Sequence, residues 1–151
     1  MKDIQKIKEL RDDTGAGVME AKEMLEKHDG DIKKAKEELM KKASAKAAKK
    51  ADRVAEDGLV YSYIHNKGKV GSMLLMACET DFVAKTDDFK KLCKEIAMQI
   101  CTDEYKDVDE LLKSPYMRDE SKTIQDLINE TLAKVGEKIE LKKFIKYTIS
   151  D

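Results

Sequence analysis

Three cysteines and two histidines are the side chains of this 151-residue chain with the plainest claim to metal or thiol chemistry. Cys78, Cys93 and Cys101 form no CxxC pair, and their odd number leaves no complete set of disulfides. Cys93 and Cys101 share a helix face at a spacing of eight, but His28 and His65 stand far apart and complete no zinc ligand set. The cysteines are expected to be reduced and buried, as small hydrophobes. No nucleophile–base pair stands out around either histidine, so neither an enzyme nor a metal or other cofactor is expected.

A different chemistry is suggested by "CETDFVAKTDDF" (Cys78 to Phe89). It places Phe82-Val83 between an aspartate and a lysine, after an apolar run and before a helical pattern. Two readings are open. Phe82 stands seven residues before Phe89, so a helix that starts early would put both on one buried face. Alternatively, the corner holds Phe82 outward for a partner.

The surrounding elements decide what such a corner rests on. Ile4, Ile7 and Leu10 have helical spacing, and "DDTGAG" (Asp12 to Gly17) interrupts it with two glycines. Val18, Ala21, Met24 and Leu25 resume the period, and Asp31 can cap a third helix carrying Ile32, Ala35 and Leu39. Short helices of this kind are marginal alone and must pack as a bundle. Residues 1–42 are therefore expected to form a three-helix domain. In residues 43–57 the composition becomes rich in alanine and lysine. Between Lys41 and Arg53 it carries no large hydrophobe, so a helical or mobile linker is expected.

From residue 58 the period falls to two. "LVYSYI" and "VGSMLLMAC" flank "HNKGK" and predict a hairpin. Phe89, Leu92, Cys93, Ile96, Ala97, Ile100 and Cys101 then form one helical stripe, with Thr86 able to cap it. Residues 102–120 read as an acidic connection, with one helical turn around Val108 to Leu112. Ile124, Leu127, Ile128, Leu132 and Val135 define a further helix ended by Gly136, and "KIELKKFIKYTIS" predicts a third strand. The expected fold is α+β, with the helical bundle, the linker, and a small antiparallel three-stranded sheet packed with helices over residues 58–151.

Composition narrows the functional classes. Charged residues make up 40% and hydrophobic ones 41%, yet the formal net charge is only −1. That balance gives no global case for nucleic acid or an acidic membrane as partner. No apolar run reaches membrane-spanning length, and the start has no signal-peptide core, so a cytoplasmic protein is expected. No GxxxxGK[ST] or GxGxxG segment is present, and direct nucleotide binding is not expected.

Four segments, in this order, carry a resemblance. They are "LRDDTGAGVMEAKEMLEKHDGDIKKAKEEL" (Leu10 to Leu39), "KAAKKADRVAEDG" (Lys46 to Gly58), "CETDFVAKTDDF" and "AKVGEKIELKKF" (Ala133 to Phe144). Together the chain resembles the translation elongation factor Ts family, the exchange factors of the GTPase elongation factor Tu. The resemblance implies an N-terminal domain like a ubiquitin-associated fold, docking on the GTP-binding domain of elongation factor Tu through Leu10, Arg11, Thr14, Gly15, Ala16 and Gly17. It implies that Thr80, Asp81, Phe82 and Val83 form the exchange turn, with Asp81-Phe82 entering near the nucleotide and magnesium site. Lys50 is implied as a further partner contact. Long members have two core subdomains and a projecting helical hairpin, whereas short members have one core and pair as homodimers. This chain has one core, which makes a homodimer the expectation, formed through the sheet and its exposed third-strand edge. The competing class is a non-catalytic helical adaptor, whose bundle binds a peptide or ubiquitin-like surface and in which Phe82 would be buried.

Overall fold

The computed structural model describes residues 2–150; Met1 and Asp151, which end the expected domain ranges, lie outside them. The N-terminal helices are α1 (Lys2–Thr14), α2 (Val18–Lys27) and α3 (Ile32–Lys49). Leu10, Ala21, Met24, Leu25, Ala35 and Leu39 meet in one buried cluster at positions that the helical period marks for the interior, whereas Ile4, on the same period in the first turns of α1, is 70% exposed. Asp31 begins α3 by accepting a hydrogen bond from the Lys34 N–H at 3.1 Å. Between α2 and α3, the Glu38 carboxylate lies 2.5 Å from both Lys27 Nζ and His28 Nε2. Lys27 first, then His28, holds that carboxyl below its ordinary range.

The segment expected as a linker begins as the C-terminal half of α3, which continues to Lys49. It lacks the large hydrophobes that betray a buried face, and alanines serve instead. Ala43 is buried, and half-buried Ala47 packs against the larger core. Side chains this small let helix backbones approach closely, so an Ala/Lys sequence carries a narrow packed stripe between solvated lysines.

The core sheet has the order β1-β2-β5, with β1 (Asp57–His65), β2 (Val70–Cys78) and β5 (Glu140–Thr148) all antiparallel. The hairpin turn at Asn66–Gly68 takes positive φ at Asn66 and Lys67. On the inner face, Leu74, Met76 and Leu141 pack against α5 (Asp87–Ile100) and α7 (Ile124–Val135). The α5 stripe is buried from Phe89 to Ile100, whereas Cys101, expected inside, is only half-buried because it lies just past the last full turn.

The acidic connection holds more structure than one turn. Beyond α6 (Val108–Lys113), β3 (Pro115–Tyr116) and β4 (Asp119–Thr123) form a small antiparallel ribbon. Buried Gln99 anchors it, donating to Pro115 O at 2.9 Å and accepting from the Met117 N–H at 2.8 Å. A polar residue on α5 thereby organises a segment whose own sequence shows little strand pattern.

Bundle and core are joined by charge as well as by α3 against α7. Lys36 on α3 reaches Asp119 Oδ2 at 2.6 Å, and together with the Ser121 hydroxyl it draws that carboxyl down to about 2. Lys122 on β4, 4% exposed, donates to the Asp13 carbonyl of α1 and to Glu130 Oε2 of α7.

Candidate functional site

The corner after β2 takes its local shape from two threonine caps. Thr80 caps α4 (Asp81–Ala84), its hydroxyl accepting from the Val83 N–H at 3.4 Å. Thr86 then caps α5 by accepting from the Phe89 N–H at 3.3 Å, and its own hydroxyl donates to Val83 O at 2.7 Å. Two caps six residues apart divide what the sequence allowed to be one helix. Thr86 is extended, with φ −71° and ψ 151°, so the helical phase is lost between Phe82 and Phe89.

That break separates the two phenylalanines and leaves Phe82 outside the core. Phe89 is 0% exposed while Phe82 is 81% exposed. Val83 and Ala84 occupy the buried side of the short turn, leaving Asp81 and Phe82 to solvent. Asp81 pairs with Lys85 at 3.2 Å on this outer surface. Full burial of a phenylalanine is worth about 1.5–3 kcal/mol, which the isolated chain forgoes here.

The loop between α1 and α2 is the second expected site. Gly15 has φ 72°, and its N–H donates to Arg11 O at 2.7 Å, which ends α1 tightly. Arg11 Nε closes over the loop onto Ala16 O at 3.2 Å. Leu10 and Thr14 are buried, and Thr14 donates to Leu10 O at 2.6 Å, so these two support the loop from beneath. Arg11 and Gly17 are exposed and Gly15 and Ala16 half-buried. Beside Gly17, Val18 and Met19 are 49% and 75% exposed, a small apolar surface; Val18, which the helical period groups with Ala21, Met24 and Leu25, lies outside because it stands at the first position of α2, at the edge of the bundle. Lys50 is half-buried, with its ammonium donating to Gly136 O at 2.9 Å, at the end of α7.

Thiol chemistry finds little support here. Burial first, then the Glu137 charge, pushes the Cys78 thiol up to about 11; burial first, then Cys78, pushes Cys93 up to about 12. Among the described residues, no group of His, Cys, Asp and Glu could hold a metal ion, and no helix is long and apolar enough to cross a membrane.

Two glutamates not among the expected site residues lie behind the corner. The Glu137 carboxylate accepts from the backbone N–H groups of Glu79 and Thr80 and from the Thr80 hydroxyl, and the Glu79 carboxylate accepts from the Lys138 N–H and from Arg53. The Lys138 N–H first, opposed by burial and helped by Arg53, holds the Glu79 carboxyl below its ordinary range. Both lie in segments that carry the family resemblance, Glu79 in "CETDFVAKTDDF" and Glu137 just after the helix-ending Gly136 in "AKVGEKIELKKF", but nothing in their spacing pairs them.

Residues 79–151, which begin at this corner, match the family described as "Elongation factor TS". An elongation factor Ts of Coprothermobacter proteolyticus is 40% identical over 190 aligned positions, covering 96% of this chain and 96% of that protein. The chain belongs to the elongation factor Ts family. The elongation factor Ts of Petrotoga mobilis is 39% identical, with 98% of each chain covered. That of Clostridium novyi is 45% identical over 96% of this chain but 47% of its own length. The first two alignments span more positions than this chain has residues, so those elongation factor Ts proteins contain residues that it lacks.

Proposed function

We propose that this chain is a guanine nucleotide exchange factor for elongation factor Tu, acting in the cytoplasm by protein contact and without a bond-making step of its own. Membership of the elongation factor Ts family supports the partner. The single observation that carries the mechanism is Phe82, 81% exposed on a corner held by two threonine caps. A rigid aromatic buries a large area in a partner with little rotamer entropy to lose.

The chemistry expected of that contact is linkage. A nucleotide bound to a GTPase owes much of its affinity to magnesium and to the N–H groups around its phosphates. Insertion of Asp81-Phe82 near that site favours the disturbed, metal-poor form. Whatever weakens nucleotide in this way must itself be weakened by nucleotide, to the same factor. The surface of Arg11, Gly17, Val18 and Met19 is the proposed docking face of the bundle, with Leu10, Thr14, Gly15 and Ala16 shaping it. Lys50 serves the corner through Gly136. The adaptor reading called for a buried Phe82, and no feature of the corner favours it.

The test is release of a fluorescent GDP analogue from elongation factor Tu into excess GDP. Micromolar amounts of this chain should accelerate release by at least about 100-fold, which corresponds to about 2.7 kcal/mol off the barrier to release. Unchanged release with a folded protein and a nucleotide-loaded partner would refute the reading.

The partner surface for a second copy is proposed on the outer face of the sheet. Val60 and Ile64 of β1, Met73 of β2, and Ile145 and Tyr147 of β5 are each 46–72% exposed. Met73 lies opposite Ile145 in register, and Gly71 lies opposite Tyr147. Contiguous apolar surface of this extent is uncommon on monomers, and two twisted sheets can pack face to face about 10 Å apart. The exposed apolar residues favour the face over the strand edge. Sedimentation equilibrium should give a dimer, and Ile145→Lys should raise its dissociation constant by about 100-fold or more, since a charge buried there lacks a partner. A monomeric wild type at tens of micromolar would exclude this face as the interface.

A further inference from the structure

We propose that Glu137 is a positioning residue for the exchange corner, fixing the direction in which Phe82 is presented. The inference rests on the exchange-factor reading for its effect on activity, but its structural content stands apart from that reading.

The motif "GEKI" enters the core where α7 ends. Gly136 takes the left-handed conformation, φ 78° and ψ 11°, and turns the chain so that Glu137 points back at the end of β2. Glu137 Oε1 accepts from the Glu79 N–H at 3.2 Å and the Thr80 N–H at 3.0 Å, and Oε2 accepts from the Thr80 hydroxyl at 2.7 Å. One carboxylate thus holds two consecutive backbone N–H groups and a side-chain hydroxyl. Such charge-assisted bonds are roughly twice as strong as neutral ones.

The third bond matters most for Phe82. The Thr80 hydroxyl gives its one proton to Glu137, which turns its lone pairs toward the Val83 N–H that it caps. The cap sets the start of α4, and α4 sets where Phe82 points. Removing the Glu137 carboxylate frees that hydroxyl to rotate and leaves two half-buried N–H groups seeking other partners.

The clamp is reciprocal. Glu79 Oε1 accepts from the Lys138 N–H at 2.8 Å and lies 3.5 Å from Arg53 Nη1, so the two loops exchange carboxylates. The chain just after α3 joins the same junction, with Lys50 Nζ on Gly136 O and Lys138 Nζ on Ala51 O at 2.7 Å. Three segments distant in sequence therefore meet behind Phe82 and hold the corner without touching its exposed ring. A corner ordered in advance need not be ordered at the partner's expense.

Two measurements test this. Exchange on elongation factor Tu is followed across concentrations for wild type, Glu137→Ala and Glu137→Gln. Each Glu137 substitution is also made in the Phe82→Ala background. Glu137→Ala should lower the maximal rate about tenfold with half-saturation moved less than about threefold, because docking through the bundle is untouched. Glu137→Gln keeps an acceptor oxygen and should recover most of the rate. In the Phe82→Ala background Glu137→Ala should cost nothing further, since its effect passes through Phe82.

The second measurement needs no partner. The chain has no tryptophan, so Phe82→Trp introduces a single indole reporter at the corner. In the Phe82→Trp protein, Glu137→Ala should increase the fast component of the indole anisotropy decay, and Glu137→Gln should increase it less. Unchanged anisotropy, an unchanged maximal rate where the wild type is active, or a full additional loss in the Phe82→Ala background would each overturn the proposal. If the wild type fails to accelerate release, the exchange reading falls and the anisotropy alone decides whether Glu137 holds the corner. Should Glu137→Ala not fold, Glu137→Asp, whose carboxylate stops one methylene short of the Thr80 hydroxyl, takes its place in both measurements with the same loss of rate and of rigidity expected.

Discussion

Phe82→Ala should reduce exchange on elongation factor Tu by about 30-fold or more while leaving the melting temperature almost unchanged. The two expectations follow from the same exposure. At 81% exposed, the ring contributes little to the isolated fold, and surface substitutions of that kind usually shift stability by about 0.5 kcal/mol or less. An aromatic anchor buried by a partner commonly costs about 2 kcal/mol or more on truncation, which converts to the stated factor. Phe89→Ala provides the control, in which stability is what is lost. That side chain is 0% exposed within the α5 stripe, and its truncation should cost about 3–5 kcal/mol of folding stability. Stopped-flow release of labelled GDP, together with thermal melts by circular dichroism, distinguishes the two. A Phe82→Ala protein that melts as badly as Phe89→Ala would mean that the ring is buried, and a fully active one would mean that the corner is not the wedge.

Lys122→Ala should destabilise the fold by about 3–5 kcal/mol at pH 8, the usual cost of leaving one member of a buried ion pair alone. For a chain of this size that lowers the melting temperature by roughly 6–20 °C. Lys122 lies 2.9 Å from Glu130 Oε1 and donates at 3.1 Å to Oε2, yet Oε1 accepts no well-directed hydrogen bond. Burial therefore outweighs the lysine and pushes the Glu130 carboxyl from 4.5 up to about 7. Asp126 on the same helix raises it further, while Lys122 and Lys36 pull it down.

A carboxyl raised on folding is protonated more in the native chain than in the unfolded one between those two values. Its contribution to stability is thus greatest below pH 4.5, declines through the interval to about 7, and levels off above. Removing Lys122 takes away the largest opposing charge, so the decline should continue past pH 7. The Lys122→Ala penalty should consequently be smaller at pH 5.5 than at pH 8. Denaturant unfolding at the two pH values measures the difference. An equal penalty at both would show that Glu130 does not titrate against this lysine. Replacing both partners with apolar residues of similar size should recover much of the loss.

These two residues also mark where sequence reasoning reaches its limit. Phe82 was conspicuous for its neighbours, but its phase relative to Phe89 supported burial as readily as exposure. The extended Thr86 between them resolved this. Lys122 offered no signal, because a lysine in an acidic, irregular stretch reads as solvated. It became buried only when β4 was carried between α1 and α7, where the Asp13 carbonyl and Glu130 could receive it.

Local order was legible because local forces set it. The α5 stripe, the hairpin around Asn66–Gly68, the Asp31 and Thr86 caps and the Gly136 stop each depend on residues within a turn or two. The order of the family segments was likewise readable from the chain alone. What needed the tertiary structure was every contact without a period. Alanines of α3 became a packing stripe only against α7, and the β3–β4 ribbon formed around Gln99 of another helix. Glu137 became the clamp of a corner 57 residues away. A carboxylate's type says that it can accept hydrogen bonds; which N–H groups it receives is decided when β5 pairs with β2 and brings the two chain segments within 3.0 Å.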